Sequence, residues 1–236
     1  MPSREAPRRV LLAWSSGKDS AWALHRLRQT PDVEVVGLLT TFNGAVDRVA
    51  MHGVRHDLVR HQAEAAGLPL TSVPLPFPCS NKEYEEAMAA VVEEAASNGV
   101  THMAFGDVFL EDVRDYRIRM LSGTPIDPLF PIWASPETSP ALAREMIAGG
   151  LKAIVVCVDT EQISRAFLGR EVDERFIADL PARADPCGER GEFHTFCHAG
   201  PMFGRPIPVR VGEIVERERF HYIDVTAAGA GPESTS

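Results

Sequence analysis

The run Val10-Leu-Leu-Ala-Trp-Ser-Ser-Gly-Lys-Asp-Ser20 decides how this chain is to be read. Val10–Trp14 is continuously apolar, the pattern of a strand buried on both faces of a parallel sheet. Ser15–Ser20 follows as a polar turn, and Asp19–Gln29 then carries Ala21, Leu24 and Leu27 at helical spacing. Gly17 lets backbone N–H groups come close to a ligand. The hydroxyls of Ser15, Ser16 and Ser20 add donors, Lys18 adds a point charge, and the start of a helix favours an anion. Ser15, Ser16, Gly17, Lys18, Asp19 and Ser20 together read as a phosphate cradle. A Walker A loop would need a glycine where Leu12 stands and a Ser or Thr where Asp19 stands, so the cradle is of another kind.

Outward from this turn, strands and helices alternate. Val33–Thr41 reads as a second strand, Val54–Ala66 as a helix stopped by Gly67, and Leu70–Leu75 as a third strand. Asn81 caps a long helix through Ala96, and Thr101–Phe105 is a fourth strand ending at Gly106-Asp107. Such alternation predicts an α/β fold with a doubly wound parallel sheet, whose ligands bind beyond the carboxyl ends of the strands. Ser15–Ser20, Thr41–Met51 and Gly106–Asp115 lie at those ends and should converge. Thr41, His52, Gly106 and Asp107 therefore join the cradle as nucleotide-site candidates. After Gly123 the texture changes, with Pro125, Pro128, Pro131, Pro136 and Pro140 in close succession. We expect a first domain over 1–125, a smaller α+β domain over 126–226, and a small, polar, disordered tail over 227–236. Within the second part, Ser139–Ala148 and Val172–Leu180 read as helices and Leu151–Val158 as a strand. Ile207–Val211 and Ile214–Val225 read as strands turning at Gly212-Glu213.

Composition bounds the function. The 236 residues carry a formal charge of −9, which argues against a general nucleic-acid binder. No apolar run approaches the roughly 20 residues of a membrane helix, and Val10–Trp14 is too brief for a secretory core. The cysteines at 79, 157, 187 and 197 are widely spaced, as suits reduced thiols in a cytoplasmic protein. His52, His56 and His61 form no recognisable metal site, and Cys187, His194, Cys197 and His198 lack the paired spacing of structural zinc. Cys187 as a nucleophile has no supporting feature, and Trp14 and Trp22 read as core residues.

Ser15-Ser-Gly-Lys-Asp-Ser20 resembles the PP-loop of the ATP pyrophosphatases, Ser-Gly-Gly-x-Asp-Ser, with Ser16 at the first glycine. That resemblance implies a HUP-type domain (adenine nucleotide alpha hydrolase-like) that cleaves ATP to AMP and pyrophosphate, with Asp19 helping to hold Mg²⁺. Further on, Gly106-Asp-Val, Asp112-Val-Arg-Asp-Tyr-Arg117, Pro128-Leu-Phe-Pro-Ile-Trp133, Asp185-Pro-Cys-Gly-Glu-Arg-Gly-Glu-Phe-His-Thr195 and Gly200-Pro-Met-Phe203 resemble the diphthine–ammonia ligase family, in its prokaryotic branch. The likeness runs from about Val10 to Val225. It implies an ATP-dependent ligase that adenylates a carboxylate and couples it to ammonia or an amine. His194 departs from the family motif, Gly-Glu-x-Gly-Glu-Phe-Glu-Thr, by replacing its last acidic residue.

The motif has its own chemistry. Gly188 and Gly191 make a turn that brings Glu189 and Glu192 together, and two carboxylates can bind a cation or take a proton from an amine. Alternation along a strand would put Glu192 and His194 on one face, with His194 titrating near neutral pH as a proton shuttle. Lys18, Glu189, Glu192 and His194 are thus the catalytic candidates. Arg114 and Arg117 share a helix face and could receive phosphate or a substrate carboxylate. The expected partners are ATP, a carboxylate-bearing small molecule or protein side chain, and ammonia or an amine; a homodimer is allowed. Two other readings fit the loop: a PP-loop enzyme modifying transfer RNA, and a nucleotide-binding protein without turnover.

Overall fold

The structure is a computed structural model that describes residues 6–45, 47–49 and 53–228. The first part runs β1 (Arg8–Ala13), α1 (Lys18–Gln29), β2 (Val33–Asn43), β3 (Arg48–Val49), α2 (His56–Ala66), β4 (Leu70–Leu75), α3 (Asn81–Ser97), β5 (His102–Ala104), α4 (Glu111–Leu121) and β6 (Asp127–Leu129). The second runs α5 (Ser139–Ala148), β7 (Lys152–Asp159), α6 (Glu174–Asp179), β8 (Phe193–Ala199), β9 (Val209–Arg217) and β10 (Phe220–Ala227).

The strands form two sheets. The first has the order β3-β2-β1-β5-β6, with β4 also on β2, and all pairs are parallel except β2 with β3. It is the mainly parallel α/β sheet that the strand–helix alternation predicts. Val10 and Leu12 of β1 are fully buried, as a central parallel strand requires. The second sheet is antiparallel, in the order β8-β7-β10-β9. β6, which begins at Asp127, pairs with β5, so the first sheet draws on residues beyond 125.

Several local expectations need correction. The cap of α3 is Ser80, whose Oγ accepts from Glu83 N–H while Glu83 accepts from Ser80 N–H; Asn81 is already helical. This capping box outcompetes a lone asparagine because it satisfies two amide donors reciprocally. The last hairpin turns at Glu218-Arg219, with Glu218 at φ +53, and not at Gly212-Glu213. Val211 pairs with Val225 and Ile214 with Ile223, so Gly212 and Glu213 together oppose Asp224. The glycine there marks a β-bulge inside a strand. Ala227 pairs with Val209, so the chain stays in the sheet where a tail was expected to begin; 229–236 lie outside the described residues. Among the described residues no helix is long and apolar enough to cross a membrane.

One hydrophobic core runs through both sheets. It joins Val10 and Leu12 of β1, Trp22 and Leu24 of α1, Leu58 and Val59 of α2, and Val155, Phe193 and Phe196 of the second sheet. A smaller core on the other face of the first sheet gathers Leu11, Leu39, Met88, Val92, Met103 and Phe105. Trp22 lies in the larger core, its indole N–H given to Glu145 at 3.0 Å. Polar contacts fix the docking. Cys197 N–H of β8 donates to the carbonyl of Ser16 at 2.9 Å, and Thr195 Oγ1 accepts from Lys18 N–H at 3.0 Å. Gln62, fully buried on α2, gives Nε2 to the carbonyls of Ser16 (2.9 Å) and Cys197 (2.6 Å) and accepts Trp14 Nε1–H at 2.8 Å. Farther out, Asp224 of β10 takes Arg48 and Arg55 at 2.9 Å each.

Gln62→Leu keeps the volume of this hub but leaves Trp14 N–H and the Cys197 carbonyl buried without partners. The expected loss is about 2–6 kcal/mol, at about 1–3 kcal/mol for each of the two orphaned groups. Urea unfolding of the variant would measure it, and an unchanged midpoint would show that the hub holds nothing together.

Candidate active site

The loops after β1 and β5 and the carboxyl-terminal half of β2 meet the segment ahead of β8 around a cavity of about 700 Å³. That is within the usual range for a site that encloses a nucleotide-sized ligand. Ser15, Lys18, Asp19, Ser20, Thr41, Gly106, Asp107, Arg117, Glu189 and His194 all line it. Ser16, Gly17, Arg114 and Glu192 do not. His52 lies outside the described residues.

The loop after β1 is bent by Ser16, which sits at φ +71. This left-handed conformation is one that glycine adopts freely and other residues rarely do. The family's glycine at this position is thus explained, and Ser16 supports the same bend with its carbonyl held by Cys197 and Gln62. Ser16 and Gly17 form the back of the loop, while Ser15 Oγ and Ser20 Oγ face each other at 3.2 Å. Gly106 closes the other side: a Cβ there would lie 2.9 Å from Ser20 N. Only a glycine allows the end of β5 to pack so closely on the start of α1.

Lys18 is buried, and its ammonium donates to both Asp19 oxygens (2.9 and 2.8 Å) and to the Cys187 carbonyl. Burial opposes the charge, yet Asp19 and the acidic groups behind it more than offset that and raise the Lys18 pKa. Asp107 pairs with Arg117 at 3.4 Å, and Arg117 reaches the Tyr84 hydroxyl at 3.5 Å. Arg114, three residues earlier on α4, instead stacks over Phe130 and Trp133, at 5.4 and 4.7 Å from the ring centroids. One helical turn separates the two guanidiniums, and only Arg117 reaches the cavity.

The Asp185–Glu192 segment is a rigid turn. Gly188 and Gly191 have φ of +70 and +81. Asp185 accepts from Ser139 Oγ at 2.5 Å and from Glu189 N–H at 3.0 Å. Glu192 is 1% exposed and uses its two oxygens on the N–H groups of Asp185 (2.7 Å) and Arg190 (3.0 Å). It precedes β8, so the expected pairing with His194 on one strand face does not form. The Glu192 carboxylate is committed to folding the turn. Glu189 does face the cavity, accepting from Val108 N–H at 2.8 Å. Burial and then the nearby Asp19 charge push its pKa up to about 7. His194 moves the other way: burial and then Lys18 push it down to about 4. It is therefore neutral at pH 7 and offers a hydrogen bond, not the proton shuttle expected of an ordinary imidazole.

Cys187 is buried against the Ser139 carbonyl, and burial pushes its pKa up to about 12. Cys157 is likewise raised to about 12 by burial, and Cys197 is raised as well. Such thiols are inert as nucleophiles, which removes the feature a sulfur-transferring relative would favour. His56 stacks on Phe42 at 4.2 Å and meets Ser72 Oγ at 2.8 Å, and His198 meets Glu171 at 2.6 Å. The cavity residues that sequence reasoning passes over are Tyr84, Asp159, Gln162, Arg190 and Arg219, with Gln62 behind the loop. Gln62 had a signal, a lone amide among Leu58, Val59, Ala63 and Ala66 on the apolar face of α2.

Comparison with known proteins gives the family. Residues 8–121 match the diphthamide synthase N-terminal domain and residues 138–228 the diphthamide synthase C-terminal domain. The chain is 24% identical to a diphthine–ammonia ligase of Schizosaccharomyces pombe over 226 residues, 88% of this chain. It spans only 37% of the length of that fungal protein. It is 26% identical to a diphthine–ammonia ligase of Bos taurus over 239 aligned positions, covering 88% of this chain and 85% of the bovine one. With both domains matched in order, and with the phosphate loop of the first held against a strand of the second, the chain belongs to the diphthamide synthase family.

Proposed function

We propose that the protein is an ATP-dependent, AMP-forming amide ligase that adenylates a carboxylate and couples it to ammonia or an amine. One observation carries this reading: an anion-accepting loop with Lys18 and Asp19 faces, across one cavity, a carboxyl with proton affinity near neutrality, Glu189. The ligase name of the fungal and bovine relatives supports the same reaction class.

ATP places its phosphates on Ser15, Lys18 and Ser20, with Thr41 and Gly106 beside the nucleotide. The substrate carboxylate attacks the α-phosphorus. The bond from that phosphorus to the oxygen bridging it to the β-phosphorus breaks, and pyrophosphate leaves. Lys18 offsets the charge that gathers on the phosphoryl oxygens. A nitrogen nucleophile then adds to the acyl carbon, AMP leaves with the bonding pair, and the proton of the nitrogen passes to Glu189. A base whose pKa lies near the working pH is best matched to that transfer. His194 contributes a neutral hydrogen bond to the bound nucleotide.

Mg²⁺ fits the donors present. In nucleotide sites it takes one or two carboxylates and completes its shell with phosphate oxygens and water. Asp19 is such a carboxylate on the cavity wall. Among the described residues no group of three or more His, Cys, Asp or Glu could hold a metal by itself. When bound, the ion would neutralise phosphate charge.

Incubation with ATP, ammonium and a panel of acids should release AMP and pyrophosphate; ADP and phosphate would refute the reading. Lys18→Ala should abolish AMP formation in a folded protein. Glu189→Gln should slow amide formation by about 10²–10⁴-fold, the usual range for losing a positioned base. The sign of the pH dependence follows from Glu189, whose active form is the carboxylate. The wild-type rate should rise with pH and level off above about pH 7, and the variant should lose that limb. Glu192→Gln should lower the melting temperature and the activity together, because its amide cannot accept both N–H groups. Glu189→Gln should not lower the melting temperature at pH 8. A raised carboxyl pKa opposes folding above the unfolded value, and the amide relieves it.

A further inference from the structure

The second sheet has one covered edge and one open edge. At β8, Cys197 N–H donates to the Ser16 carbonyl and Ile207 N–H to the His198 carbonyl, so other parts of the chain already overlie that strand. β9 stands at the opposite end of the order β8-β7-β10-β9, with β10 on one side and no strand on the other among the described residues. All of β9 beyond Val209 is exposed. Val211, Ile214 and Val215 are 43%, 43% and 45% exposed, and they are three of the five large hydrophobic side chains left in solvent among the described residues. An open strand edge with apolar side chains is a template for a further strand.

The register says which strand fits. The bulge at Gly212-Glu213 interrupts the ladder, so the regular stretch of the edge is Glu213–Arg217. Arg217 and Phe220 flank the two-residue turn and bond to each other. By alternation Val215 bonds to Tyr222, and Ile214 and Glu216 turn their N–H and C=O groups outward. Arg217 lies over the Tyr222 ring at 6.0 Å, while Glu216 lies on the other face with Arg165 at 2.9 Å. Glu213, Val215 and Arg217 therefore share one face. Among the described residues neither Glu213 nor Arg217 is in a salt bridge.

This stretch is complementary to itself. A second copy laid antiparallel on the edge, with a two-fold axis at Val215, sets Val215 against its own counterpart and Glu213 of each copy against Arg217 of the other. The outward N–H and C=O groups of Ile214 and Glu216 then bond across the axis. On the reverse face Ile214 comes opposite Glu216, whose charge Arg165 already offsets. Axes at Glu213, Glu216 or Arg217 would bring like charges together, and an axis at Ile214 would run the bulge into the ladder. We propose that β9 is a self-association edge, through which two copies pair along Glu213–Arg217 and join their four-stranded sheets into one continuous sheet. Such a contact uses the same patch on both copies, so it closes at two and leaves no edge for a filament.

Sedimentation of the full chain tests this. The mass should move from 25.8 kDa toward twice that value as the protein concentration rises. Glu213→Arg and Arg217→Glu each put like charges opposite one another at both ends of the pair, and each should weaken the dimer at least about tenfold. Mixing the two variants is the decisive arm. A Glu213→Arg chain against an Arg217→Glu chain restores opposite charges at both ends, so the mixture should dimerise about as well as the wild type. Both positions are exposed, and circular dichroism should show an unchanged fold. A wild-type chain that stays monomeric into the millimolar range overturns the proposal. So does a dimer that neither variant weakens, or a mixture that associates no better than its components.

Discussion

Two hydrogen bonds between the loop after β1 and β8, one to a backbone carbonyl and one to a threonine hydroxyl, hold this molecule in shape. The Ser16 carbonyl takes Cys197 N–H, and Thr195 Oγ1 takes Lys18 N–H. Both ends of the contact are buried, so neither can be exchanged for water without cost. Gln62 reinforces the joint by reaching both carbonyls from a third element. The consequence is geometric. The segment that carries Glu189 and Arg190 is fixed relative to the loop that carries Lys18 and Asp19, although the two are separated by about 170 positions of chain.

The electrostatics of the site follow from that joint. The first sheet supplies the loop, Thr41, Asp107 and Arg117, and the second supplies Glu189, Arg190, His194 and Arg219. Bringing the second set against the first removes water from between them. Removing water raises Glu189 and lowers His194, because in each case it disfavours the charged form. The same closure sets Lys18 over Phe193 and gives its ammonium the Cys187 carbonyl. In a site assembled this way burial raises the Glu189, Asp19 and Asp107 carboxyls and lowers the His194 imidazole.

Much of this was legible in residue order. The apolar run of β1 and the donors of Ser15–Ser20 announce a parallel sheet with a donor-rich turn at its carboxyl end, since period and turn chemistry are local. The glycines at 188 and 191 announce a tight turn for the same reason. The parts that escaped are those in which a side chain chooses between partners. Glu192 resembles Glu189 in sequence, and nothing local says that one binds amides inside the turn while the other faces the cavity. Gly212 looked like a hairpin turn, and only the pairing of Val211 with Val225 and Ile214 with Ile223 reveals a bulge.

The sequence by itself determined the class of fold, the position of the donor-rich turn after β1 and the family to which the chain belongs, because those rest on periodicity and on motifs a few residues long. The tertiary structure decided which acid faces the cavity with its pKa raised, which histidine is held neutral, and that Arg114 stacks away from the cavity while Arg117 lines it. Each of these depends on desolvation and on charges brought near from distant parts of the chain. A linear sequence does not carry those distances; they exist once β8 has docked on the loop after β1.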